Sequence, residues 1–169
     1  MPVREKLHSK ELYQGSNPPH YFPGTNIDNP DVVEFFNAYG YLAIKQFFDQ
    51  ETISTAIHEI NRLTSNHSIS FEGVQYEQPP YTNSEDDLKV RKLMNFIDYS
   101  PHLAKMANQS AMVKLIGLLM EDCEPILFQD MAMLKAPGGR EKPWHQDNAY
   151  FDVPVDTPVI GLWIALDHA

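Results

Sequence analysis

Pro143-Trp144-His145-Gln146-Asp147-Asn148-Ala149-Tyr150-Phe151 is the stretch on which the reading of this chain turns. It places a neutral nitrogen ligand and an anionic oxygen ligand two residues apart. On an extended backbone the side chains at i and i+2 leave from one face, so the His145 imidazole and the Asp147 carboxylate can converge on one metal ion. Such a pair supplies two of the three protein ligands of a 2-His-1-carboxylate site, which leaves positions on Fe(II) open for a co-substrate and oxygen. In a chain with seven histidines an H-x-D triplet alone says little, so its weight comes from what surrounds it.

Upstream, Ile126 to Lys135 reads as a strand. Leu127, Gln129, Met131 and Met133 alternate with Ile126, Phe128, Asp130, Ala132 and Leu134, so neither face is uniformly polar and both are expected to be covered. Ala136-Pro137-Gly138-Gly139-Arg140 is a turn. Downstream, a Pro154/Pro158 loop leads to a strand over Val159 to Leu166, with Gly161, Trp163 and Ala165 on one face and Ile160, Leu162, Ile164 and Leu166 on the other.

The first half of the chain reads as helices. Asn29 caps a helix that opens on Pro30 and Asp31, carries Val32, Phe35, Phe36 and Tyr39 on one stripe, and ends at Gly40. Tyr41 to Phe48 runs extended. Asp49 caps a second helix whose Ile53, Ala56, Ile57, Ile60 and Leu63 share a face. Thr64 to about Asp87 reads as a long solvated loop, and Leu88 to Ile97 as a strand with a basic edge. Ser100-Pro101 starts a further helix, restarted at Ser110, that sends Met112, Val113, Ile116 and Leu119 inward and is broken by Pro125. Helices first and strands last is an α+β order. Residues 1–28, rich in Pro, Gly, Asn and Tyr, read as a surface arm, and 29–169 as parts of one domain.

At 169 residues with 43% hydrophobic content the chain can bury a core. Its formal charge of −10 argues against a nucleic-acid or anionic-membrane partner, either of which calls for clustered Lys and Arg. With a single cysteine, Cys123, neither an internal disulfide nor a thiolate zinc site can form. A polar amino terminus and the lack of a span of roughly 20 apolar residues point to a cytoplasmic protein. His58-Glu59 continues Ile60-Asn61-Arg62, so the second histidine of H-E-x-x-H is missing, and no phosphate-binding glycine loop or G-x-S-x-G occurs.

Taken together, Gln129-Asp130-Met131, Lys135, Pro137-Gly138-Gly139, Pro143-Trp144-His145-Gln146-Asp147 and Leu162-Trp163-Ile164-Ala165-Leu166-Asp167 resemble the phytanoyl-CoA dioxygenase family of Fe(II)/2-oxoglutarate oxygenases. The resemblance implies a double-stranded β-helix core, jelly-roll or cupin-like, behind amino-terminal helices. It implies that His145 and Asp147 are iron ligands, that Lys92 contacts 2-oxoglutarate, and that Met131 and Trp163 line the co-substrate pocket. An apolar wall and a cation are what a chelated keto acid needs around it. The implied reaction is hydroxylation of a small-molecule C–H, supported by ascorbate. The Asp147 carboxylate favours hydroxylation over halogenation, since halogenating relatives lack it. Lys135, Arg140 and Lys142 near the site locally offset the acidic background.

The family's second histidine ligand and its 2-oxoglutarate arginine lie beyond the strand holding Trp163, whereas this chain closes at Asp167-His168-Ala169. His168 is a poor replacement, as it follows a strand whose site-facing position is Trp163. The expectation is therefore a carboxy-terminally truncated member with an incomplete sheet core, self-association through unpaired sheet edges, and no turnover by this chain alone. Two alternatives stand beside it: a non-catalytic remnant or interaction module, and a cupin-like protein holding another divalent ion.

Overall fold

The computed structural model describes residues 20–65, 71–78, 89–121, 123–135, 142–143, 145–154 and 156–167. The Ala136–Arg140 turn, Trp144, His168, most of the amino-terminal arm and much of the 64–87 stretch lie outside the described residues. Two compact units divide between Phe47 and Phe48.

In the first unit, Tyr21–Pro23 (β1) pairs in parallel with Ala43–Lys45 (β2), Phe22 lying opposite Ile44. Part of the stretch read as an arm is thus a strand. Parallel strands need a crossover, and Pro30–Tyr39 (α1) provides it. Its ends follow the sequence reading closely. The Asn29 side chain accepts from the Asp31 N–H, Pro30 sits in the first turn, and Gly40 takes a left-handed φ of 74° while its N–H returns to the Phe36 carbonyl. Val32 is completely buried. Phe35 contacts the rings of His20, Phe22, Tyr39 and Tyr41 at centroid distances of 4.5 to 5.5 Å. Gly24 follows β1 where the chain leaves no room for a side chain, since a Cβ there would stand 2.7 Å from the Gln46 carbonyl oxygen.

The second unit opens with Gln50–Ser65 (α2), capped by the Asp49 carboxylate, which accepts from the Thr52 N–H at 2.7 Å. Hydrogen bonding from the Thr52 side chain, with this backbone bond second, holds the Asp49 carboxyl below the usual range. Ala56, Ile60 and Leu63 are buried. Ile57, expected on the same face, is half exposed, because a stripe through 56, 60 and 63 puts residue 57 at its rim. Buried in the stripe instead is Glu59.

Glu59 sits where α2 meets the start of Pro101–Ala107 (α3). Its Oε2 accepts from Ser100 Oγ at 2.6 Å and from Arg62 Nη2 at 2.8 Å. Arg62 Nη2 also donates to the Tyr99 carbonyl, and Ser100 Oγ accepts from the Leu103 N–H, capping α3. A carboxylate so supplied with donors is favoured in its charged form. The Arg62 and Ser100 hydrogen bonds, in that order, hold its pKa down at about 2 against its burial, which favours the neutral form.

Val74–Tyr76 (β3), Val90–Met94 (β4) and Met131–Met133 (β5) form an antiparallel sheet with β4 in the middle. The basic strand read over 88–97 is therefore β4, with its bounds drawn in. β3 corrects the reading of 64–87 as loop throughout: three residues are too few to show a period of two, and Val74 and Tyr76 gain their ladder from β4. Leu93 on β4 is fully buried against Ala56, Ile60, Leu63, Leu103 and Met106. Ser110–Leu119 (α4) buries Met112 and Leu115, while Val113, Ile116 and Leu119 are half-buried. The buried line runs through 112 and 115 rather than through the wider face read from the sequence. α4 ends at Leu119, several residues ahead of Pro125.

Two predicted strands are cut back. Of Ile126 to Lys135 only Met131–Met133 enters a ladder. β4 turns away at Asn95, whose φ is 55°, and Asp130 Oδ2 accepts from the Ile97 N–H at 2.7 Å, so the residues before Asp130 run past the end of β4. Ile126 is accordingly 87% exposed rather than covered. Among the described residues, Val159 to Leu166 pairs with no strand, and Leu162 and Trp163 are exposed, although Leu166 packs on the core. The architecture is α+β with small sheets. No helix of the described residues is long and apolar enough to cross a membrane.

Leu93→Ala is expected to cost about 3 kcal/mol, measured by urea denaturation, since the cavity is enclosed by both α2 and α3. Acid should act through Glu59. Because its folded pKa lies below the ordinary carboxylate value, its contribution is complete above about pH 5 and is lost as pH falls toward 2. We expect a loss on the order of 2 kcal/mol, given that Arg62 is partly open to water. In Glu59→Gln this acid limb should flatten, and an unchanged slope would show that other carboxylates carry it.

Candidate metal centre

His145 and Asp147 do converge, but not as neighbours on one strand face. Asp147–Ala149 is a single 3-10 turn, closed by the Ala149 N–H on the Gln146 carbonyl and the Tyr150 N–H on the Asp147 carbonyl at 2.8 Å. Gln146, between them, is extended at φ −105° and ψ 130°, as the i, i+2 reading requires, and the turn opens only at Asp147. His145 Nε2 lies 3.0 Å from Asp147 Oδ1.

Hydrogen-bond chemistry at the other ring nitrogen constrains this pair. His145 Nδ1 is 2.7 Å from the Pro143 carbonyl oxygen, which can only accept, so Nδ1 carries a hydrogen. In the neutral ring Nε2 then holds a lone pair directed at a carboxylate oxygen. Two acceptors at that distance repel unless a proton or a cation lies between them. Two ligand atoms each about 2.1 Å from one ion, at right angles, stand about 3.0 Å apart, which is the separation seen. Donation of the second ring N–H to a backbone carbonyl is the usual support for a metal-binding histidine. The donor set thus suits a borderline divalent cation. The Asp147 side chain is 67% exposed and His145 27%, leaving the outer side of the pair open to exchangeable ligands.

Around the pair, Tyr150 stands at right angles to the His145 ring with centroids 5.4 Å apart, and Lys142 Nζ lies 4.7 Å from the Tyr150 centroid. Gly161 borders Asp147 from the downstream segment: a Cβ there would come within 4.0 Å of Oδ2. Phe151 meets Phe128 edge to face, and Phe128 forms a wall of a shallow cleft of about 190 Å³ between the Asn95–Asp98 turn and Leu127–Asp130.

The family model for phytanoyl-CoA dioxygenase (PhyH) matches residues 36–169. The chain belongs to the phytanoyl-CoA dioxygenase family. Members are generally Fe(II)- and 2-oxoglutarate-dependent. Among curated proteins and among solved structures, none matches the chain.

The other residues singled out for a phytanoyl-CoA dioxygenase site fall in two places. Lys92 is on β4 opposite Met133, and Met131 is on β5 opposite Met94. Since Leu93 points into the core, Lys92 and Met94 occupy the other face of the sheet, beside Met133 and Met131. Burial lowers the Lys92 pKa, and the nearby charges of Arg91 and Lys142 push the same way. Lys142 therefore links the sheet to the His145 segment electrostatically. Trp163 is 76% exposed and belongs to a segment that enters no ladder among the described residues. Among the described residues, no third His, Cys, Asp or Glu joins His145 and Asp147 in a metal-holding group.

Tyr150, the Pro143 carbonyl and Gly161 were not singled out from sequence. A 3-10 turn has no periodic signature, so five-residue return from Tyr150 to His145 is invisible to strand or helix templates. Gly161→Val, whose methyl groups extend from the Cβ position toward Asp147 Oδ2, should weaken divalent-metal binding several-fold while leaving the thermal midpoint unchanged. Titration with Co(II) followed by absorbance would measure it, and unaltered affinity would mean that Gly161 does not border the bound ion.

Proposed function

We propose that this chain is an Fe(II)/2-oxoglutarate-dependent oxygenase that hydroxylates a C–H bond of a small molecule in the cytoplasm. The observation that carries the proposal is the His145 Nε2 to Asp147 Oδ1 contact of 3.0 Å with Nδ1 tied to Pro143, within a chain of the phytanoyl-CoA dioxygenase family. Bound there, Fe(II) would supply the redox chemistry that couples oxygen-dependent decarboxylation of 2-oxoglutarate to hydroxylation of the substrate. The chain's own residues have simpler tasks. His145 offers a neutral lone pair in a fixed tautomer, and Asp147 offsets the charge of the cation. Lys92 provides positive charge for a carboxylate of 2-oxoglutarate. Met131 and Trp163 supply apolar surface for its carbon chain.

On this reading residues 29–169 are the first part of one domain with a double-stranded β-helix core. The three-stranded sheet and the exposed apolar side chains at 126–128 and 162–164 are compatible with such a core. Left uncovered, those edges favour self-association. A second reading, a module that binds without turnover, draws on the donor set, which among the described residues stops at two.

Formation of succinate and CO₂ from 2-oxoglutarate with Fe(II) and ascorbate separates the two. Turnover at least ten-fold above His145→Ala would bear out an oxygenase active in this chain alone, whereas equal rates in both proteins would favour the binding module.

A further inference from the structure

We infer that Tyr150 and Lys142 form a positioning pair that holds the His145 imidazole in its metal-facing orientation. This rests on the metal reading of His145 and Asp147. The imidazole is fixed at one end by the Pro143 carbonyl, 2.7 Å from Nδ1. A single hydrogen bond leaves the ring free to tilt about that contact, and a tilt would swing Nε2 away from Asp147. Tyr150 opposes it. Its ring lies at 84° to the imidazole with centroids 5.4 Å apart, the edge-to-face geometry that aromatic quadrupoles favour. The same turn that presents Asp147 also presents Tyr150, since the Tyr150 N–H closes it on the Asp147 carbonyl at 2.8 Å. One short element therefore sets both the second ligand and the support for the first.

Lys142 completes the arrangement from the other end of the segment. Its ammonium lies 4.7 Å from the centre of the Tyr150 ring, within the range of cation–π attraction. Tyr150 is largely exposed and belongs to no helix or strand, so its position is set by local contacts rather than by the core. Lys142 directly precedes Pro143, whose ring restricts the backbone dihedral at that position. The order Lys142, Tyr150, His145, Asp147 is thus a stack of side chains tied at both ends to one stretch of backbone.

The test is Co(II) titration, by visible absorbance, of the full chain and of His145→Ala, Tyr150→Leu, Tyr150→Phe and Lys142→Met. A nitrogen-15 NMR measurement of the His145 ring without metal accompanies it. His145→Ala should abolish the Co(II) signal. Tyr150→Leu should weaken binding about five-fold and Lys142→Met about two-fold, within what an edge-to-face pair and an exposed cation–π contact contribute. Tyr150→Phe, which keeps the ring, should restore wild-type affinity. In the metal-free protein the ring-current shift of the His145 protons should vanish in Tyr150→Leu and persist in Tyr150→Phe. Since Tyr150 is exposed, thermal midpoints should not move, and a role in stability alone would move them without changing the His145 shift. If His145→Ala binds Co(II) like the wild type, the metal reading fails and the inference with it. If His145→Ala loses binding but Tyr150→Leu does not weaken it, the positioning role is overturned while the metal reading stands.

Discussion

A buried carboxylate holds the larger unit in register. Glu59 takes donors from the helix that carries it, through Arg62 Nε and Nη2, and one from Ser100, which caps the next helix. Taking a carboxylate out of water is costly unless donors replace the lost hydration. The contact between α2 and α3 is therefore fixed in position and not merely in area. Ser100 can serve Glu59 and the Leu103 N–H only if α3 begins where it does. Leu103 and Met106 are thereby delivered to Leu93, and Leu93 decides which face of β4 is turned inward. Lys92 consequently lies on the opposite face, beside Met131 and Met133 of β5.

The helices were legible because their determinants are local. Asn29-Pro30, Asp49 and Ser100-Pro101 each place a side-chain acceptor next to unsatisfied N–H groups, and Gly40 permits the left-handed residue that stops α1. Strands were read less well, for a physical reason. Alternation in Ile126 to Lys135 records which residues could face a core, but the ladder also needs a partner strand of matching length. β4 ends at Met94, before the left-handed Asn95, so pairing stops there whatever the alternation of the partner residues. Glu59 was missed because a buried charge looks like a surface charge until its partners, one of them 41 positions away, are known.

The candidate site was legible in part. His145 and Asp147 meet as their spacing suggested, across an extended Gln146. The 3-10 turn that opens at Asp147 was not foreseen, because it has no periodic signature. Lys92 and Met131 are neighbours across the sheet only because β4 and β5 pair, a long-range fact. Trp163 is exposed, on a segment without a ladder among the described residues.

That the two ligands stand two residues apart on one short stretch bears on the thermodynamics of metal loading. Closing so small a loop costs little chain entropy, and the unfolded polypeptide retains both donors at almost the same spacing. A cation would then bind the denatured ensemble as well as the native one, and linkage stabilises only by the difference between the two affinities. Metal held by His145 and Asp147 alone would therefore raise the melting temperature far less than its dissociation constant implies. A ligand drawn from a distant strand would change this, since only the folded chain could bring it to the turn.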